Sequence, residues 1–157
     1  MAVSSFLYNI AKVGFHQSTG LCYWSSTTAS YYITLVSNNY TPDEDHNFAS
    51  AFSGAELSST SFTGGFNGTM RISLTSRTIT SNVTSNQAEF QAATVVWSGI
   101  SAGTAHAFVV LQQSGSDALS QLVVYNSLGG FPITTNATNL TISFTSAGVF
   151  ALQTPAT

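Results

Sequence analysis

This 157-residue chain has six carboxylates, and three of them stand together: Asp43, Glu44 and Asp45 sit in YTPDEDHNF, residues 40–48. Side chains crowded in this way can hold a cation, work as an acid and base pair, or solvate a turn. Asp43, Asp45 and Asn47 match the D-x-D-x-N opening of a calcium loop, whose alternate oxygens converge on one ion. The match ends there. Such a loop needs Gly at its sixth position and a bidentate Glu at its twelfth, and this chain places Phe48 and Gly54 there. A metal site on Asp43, Asp45 and Asn47 is therefore the minor alternative. The leading expectation is a solvated loop in which Thr41-Pro42 opens a turn and Asp45 or Asn47 caps a helical turn through Phe48, Ala51 and Phe52.

Other chemistry finds less footing. An acid and base pair needs two carboxylates across a cleft with their pKa values pushed apart, which neighbouring residues of an exposed loop do not provide. Glu56 and Glu89 stand alone in the sequence. His16, His46 and His106 do not fall at metal-ligand spacing, and the single Cys22 excludes both a zinc constellation and an internal disulfide. Beside Tyr23 and Trp24, that cysteine reads as a small apolar filler. No serine lies in a Gly-x-Ser-x-Gly elbow. TGGFNG, residues 63–68, lacks the Lys-Ser/Thr ending of a phosphate loop and reads as a turn. His106, in TAHAFVV, reads as a packed, hydrogen-bonded strand residue. These readings predict a non-enzymatic protein with no cofactor.

The aromatic residues Tyr23, Trp24, Tyr31 and Tyr32 form the densest such group near one strand. Large rings with a polar handle suit a core, a sugar-stacking platform or the apolar heart of an interface. An interface role is expected for one or two of them, joined by Phe6, Leu7 and Ile10.

The elements that would position these groups are short. Val3, Phe6, Leu7, Ile10 and Ala11 repeat at helical spacing, with Ser4 or Ser5 as N-cap and Gly14 as the closing residue, which predicts a helix over 4–13. Beyond it the period becomes two, in TMRISLTS and NLTISFTS. AFVVLQQ and QLVVYNS lack alternation, as strands covered on both faces do, and 114–117 reads as the hairpin turn between them. Further strands are expected at 30–37, 78–84, 87–91, 94–98 and 149–153, with Gly64-Gly65, Gly68 and Gly129-Gly130 as breaks. The expected fold is all-β, a β-sandwich or jelly-roll-like single domain over 1–157 with a short N-terminal helix.

Composition bounds the partners. Charged residues make up 6% of the chain, where about 25% is usual. Hydroxyls from 24 Ser and 21 Thr replace them as solvated groups. Weak long-range repulsion favours association with copies or with a larger assembly. The three basic residues, Lys12, Arg71 and Arg77, and a net charge of -3 argue against nucleic acid. The N-terminus lacks the pattern of a signal peptide and no apolar run is long enough to span a bilayer, so no membrane role and synthesis in a cytoplasm are expected.

The order of several segments completes this picture. LYNIAK, then LVSNNYTPDEDHNFASAF, then FTGGFNGTMRISLTSRTIT, then AEFQAATVVWSGISAGTAHAFVVL with its partner QLVVYN, resembles a family of small structural proteins encoded by tailed bacteriophages. The shared pattern is a Y-T-P-x-x-D-x-H-x-F segment after the first strand, an L-T-x-R/K-T-x-T strand after a Gly-containing turn, and a V-x-W-S strand before the hairpin. The likeness runs over most of residues 5–152 and carries no catalytic residues. It implies a virion component, above all a capsid decoration or cement protein on the shell's outer face, with the major capsid protein and further copies of itself, as a trimer, for partners. A tail or fibre-associated domain binding a host-surface glycan is the alternative. Compared with that family, this chain carries Ser and Thr where Lys, Asp and Glu are frequent.

Overall fold

A computed structural model describes residues 5–16, 24, 28–57, 71–98, 100, 102–135, 138–145 and 148–153. Within them the chain is all-β with one short helix near the N-terminus, and every pairing between its strands is antiparallel.

The N-terminal segment departs from the expected helix over 4–13. Ser5–Leu7 is strand β1, and helix α1 covers Asn9–His16. The apolar residues here also satisfy a period of two. Phe6 stacks on Tyr125 on one side of the sheet, with ring centroids 5.3 Å apart, while Leu7 is buried in the core on the other side. The helix starts where the Tyr8 carbonyl accepts the amides of Ala11 and Lys12, so Ser5 does not cap it, and Gly14 lies inside it; Ser4 is outside the described residues. Ala11 and Phe15, four residues apart on one face, pack into the same core as Leu7.

A five-stranded sheet organises the molecule, in the order β1, β9 (Gln121–Asn126), β8 (Ala107–Gln112), β2 (Tyr31–Val36) and β3 (Ile72–Ser73). β8 and β9 are buried along nearly their whole length, as their unbroken apolar runs predict. Along β8 the side chains divide between two cores, Phe108 and Val110 on one side and Ala107, Val109 and Leu111 on the other.

The first face is covered by three smaller sheets. They pair β12 (Phe150–Gln153) with β5 (Gln87–Gln91) and β4 (Thr78–Asn82), β11 (Leu140–Ile142) with β6 (Val95–Trp97), and β10 (Ile133–Thr135) with β7 (Gly103–Ala105). Phe90, Trp97, Leu140 and Phe150 bring these sheets against Ile33, Leu35 and Phe108. Among the described residues the second face carries no sheet. Tyr8 and the segment running from Tyr40 through the 3-10 turn Ala49–Phe52 to Ala55 cover it.

Several expected strands shorten. Among the described residues the strand drawn from TMRISLTS reduces to β3, and that from NLTISFTS to β11; Thr69, Met70 and Ser146 lie outside them. His106 falls between β7 and β8, its amide donating to the Val36 carbonyl. The β8–β9 connection is wider than residues 114–117 because Ser120 folds back on it: its Oγ donates to the Ser116 carbonyl at 2.8 Å and accepts the Ser114 amide at 3.0 Å. Gly64, Gly65 and Gly68 lie outside the described residues.

Candidate functional site

The acidic loop connects β2 to the 3-10 turn, and its carboxylates diverge. Asp43 Oδ1 accepts the amide of Asp45 at 3.0 Å. Asp45 Oδ1 accepts from Asn9 Nδ2 at 2.6 Å, and Glu44 Oε2 pairs with Lys12 Nζ at 2.5 Å. The Glu44 carbonyl also accepts the Asn9 amide, which satisfies the start of α1. Each acid therefore fastens the loop to itself or to the helix. No group of three His, Cys, Asp or Glu side chains able to hold a metal occurs among the described residues, and Asn47 contributes its carbonyl to the Leu122 amide. The calcium alternative on Asp43, Asp45 and Asn47 has no geometry behind it.

The capping expectation also needs correction. The N-cap of the 3-10 turn is Phe48, with no side-chain hydrogen bond. The turn's free amides, Ala49 and Ser50, donate instead to the carbonyls of Ser120 and Asp117 in the β8–β9 connection. Tertiary acceptors take the place that Asp45 or Asn47 would have filled.

Behind the loop runs a buried chain of hydroxyls. Tyr8 Oη and Tyr40 Oη lie 2.8 Å apart, and Tyr40 Oη is 3.0 Å from His46 Nδ1. The Tyr40 ring stacks on His46 and meets Phe52 and Tyr125 edge-on. Burial pushes the Tyr40 hydroxyl up to about 12, against a lowering by the Tyr8 hydrogen bond. Burial, reinforced by Tyr40, raises Tyr8 further. Both phenols stay neutral at ordinary pH, which suits a structural lock and not a general base. In YTPDEDHNF, then, Tyr40 and His46 join this chain, Asp45 holds α1, and Phe48 bridges to Gln121 on β9.

An ion cluster at the far end of the same segment escaped the sequence reading. Arg71, buried, forks onto Glu56 through Nε and Nη2, both at 2.7 Å, and onto Asp117 through Nη1 at 2.7 Å and Nη2 at 3.0 Å. Thr34 Oγ1 donates to Glu56 Oε1 at 2.7 Å. The two carboxylates raise the Arg71 pKa against the lowering effect of burial, which is the largest single influence. The period-two pattern had set Arg71 on a solvated face, and Glu56 had no charged neighbour in sequence. The only available signal was scarcity, since charges this few tend to be kept for defined partners. Arg77 is likewise engaged, donating to the carbonyls of Trp24, Leu74 and Ala29 and lying 4.8 Å from the Tyr31 ring centroid.

The proposed contact residues divide. Trp24 and Tyr31 are fully buried, 4.9 Å apart between ring centroids, and Trp24 Nε1 donates to the Gln91 carbonyl. They fill the space between the central sheet and the Phe90–Phe150 stack, so they are core residues, and the interface expected of them is withdrawn. Leu7 is core as well. Phe6, Ile10 and Tyr32 are half-buried against the second core, and Tyr23 lies outside the described residues.

Two features open to solvent stand out among the described residues. Among the described residues β4 pairs on one side only, with β5, and Thr78, Ile79, Thr80 and Ser81 are all exposed. Ile79 is 46% exposed, and Val83, in the following turn, 84%. No charged side chain lies in residues 78–86. The second feature is a cleft of about 410 Å³ between the end of β8 and the β10–β11 region, with Phe108, Phe131 and Phe144 in its wall.

No protein-family model, no curated protein and no solved structure matches this chain. The acidic side chains fasten the loop to itself and to α1.

Proposed function

We propose that the chain is a non-catalytic virion structural protein, of the capsid decoration type, that binds the outer face of a capsid shell as an oligomer. The observation that carries this reading is β4, uncharged and paired on one side only among the described residues. A free strand edge presents backbone donors and acceptors that another extended strand satisfies, and proteins that stay monomeric block such edges with Lys, Pro or bulges. β4 has none of these side chains. A second copy is the partner that meets it without like-charge repulsion.

The segment order shared with phage structural proteins supports the virion setting. The internal roles of Tyr40, Asp45, His46 and Phe48 support a motif kept for folding. Each copy on a shell would add a small burial of apolar surface, and repetition over many sites would stabilise the particle by mass action. Quantitative protein analysis of purified particles tests this: hundreds of copies per particle are expected, and a handful, as in a tail, overturns the decoration reading.

A further inference from the structure

We propose that the cleft beside β10 and β11 is a binding site for a neutral saccharide. Its size, about 410 Å³, lies in the range of small-molecule sites. Phe108, nearly buried, sits at its base and meets Phe131 and Phe144 edge-on, with centroids 6.0 and 6.4 Å away, and both outer rings are partly exposed. Aromatic faces carry negative charge density and attract the weakly positive C–H face of a pyranose ring.

The polar part of the wall decides the ligand class. Asn126 Oδ1 accepts the Leu128 amide at 2.7 Å, which fixes the side chain and leaves its N–H donors unused. Thr141, Ser143 and Thr145 line the same cleft, and their hydroxyls form no hydrogen bond among the described residues. An apolar peptide side chain covering these groups would strand them without water or partner, at a cost for each. A sugar's hydroxyls would pair with them. None of the lining residues is charged, so a charged ligand would lose its hydration without compensation. Alternating C–H faces and hydroxyls, with no net charge, is the pattern that fits.

This inference does not depend on a capsid location, and its test uses the purified chain. Saturation-transfer NMR would be run against glucose, galactose, mannose, N-acetylglucosamine, maltose, lactose and cellobiose, with glucuronate and an apolar tripeptide as controls. At least one neutral sugar is expected to receive saturation, and glucuronate to receive less. Phe131→Ala is expected to weaken that binding by about tenfold or more, and Ser143→Ala several-fold, with the thermal midpoint of Ser143→Ala unchanged. Silence across the neutral sugars overturns the proposal, as does binding that survives both substitutions. Saturation of the tripeptide with none of the sugars overturns it in favour of a peptide groove.

Discussion

At the scale of single residues, the buried groups set sharp expectations. Arg71 joins Glu56 and Asp117 with two forks inside the fold. Removing only the cation leaves Glu56 buried and unpaired, so Arg71→Met should destabilise the protein by about 3–5 kcal/mol, whereas Arg71→Met with Glu56→Met should cost much less. Urea denaturation of the two variants checks this. The tyrosine chain predicts a pH limit. A phenol has an unfolded pKa of about 10, and Tyr40 is pushed up to about 12 in the fold. Its contribution is therefore complete below about pH 10 and is lost as pH rises towards about 12, at about 1.4 kcal/mol per pH unit. Tyr8, raised further, adds a second loss in the same window and beyond. Unfolding free energies measured between pH 8 and 12 should fall steeply above 10, and Tyr40→Phe should flatten the fall while costing about 1 kcal/mol at neutral pH from its lost hydrogen bonds. Gly148 has φ +80°, and a Cβ there would overlap the Phe90 carbonyl. Gly148→Ala should lower stability by about 2 kcal/mol or more, read as a drop in thermal midpoint.

At the scale of elements, β4 carries the next expectation. Ile79→Lys or Val83→Lys places a charge on the open edge, where it repels its copy and keeps its hydration. Either change should convert the proposed oligomer to monomers in sedimentation velocity, with a shift in stability within about 0.5 kcal/mol. Oligomers that persist in both variants would remove β4 from the contact. How far the elements were legible depends on what fixes each one. β5, β8 and β9 are written in contiguous side chains, apolar runs or a clean bounded segment, so residues 87–91 and the AFVVLQQ and QLVVYNS hairpin could be read directly. β1, β7 and β10 are three residues each, and only a partner far along the chain makes them strands. Helix α1 begins late because Phe6 and Leu7 are taken by the sheet, a choice that helical spacing alone does not show. The ion cluster is hidden for the same reason: Arg71 lies 15 residues from Glu56 and 46 from Asp117. The cleft was equally invisible, since its three phenylalanines come from separate segments that only the fold assembles.

At the scale of the whole molecule, the near absence of charge dictates how association should respond to solvent. Two of the three basic side chains are held internally, Arg71 and Arg77 in buried or half-buried sites, while Lys12 pairs with Glu44 at the surface. Of the acids, Glu56 is buried on Arg71 and Glu89 is held below its ordinary range by hydrogen bonds from Asn82 and Gln87, whereas Asp43, Glu44 and Asp45 lie at the surface. In the proposed oligomer, contacts between copies would rest on backbone hydrogen bonds, hydroxyls and exposed apolar residues such as Ile79, Val83 and Leu119. Salt screens surface charge with a Debye length of about 10 Å at 0.1 M, and there is little surface charge to screen. The apparent dissociation constant of the oligomer should change by less than about twofold between 50 and 500 mM sodium chloride. Sulfate, excluded from protein surface, strengthens burial and should tighten association at equal ionic strength. Sedimentation equilibrium in the two salts separates these effects. A tenfold weakening in sodium chloride would mean that charge pairs across the contact hold the copies together, and would move the interface from β4 to the acidic loop and Lys12.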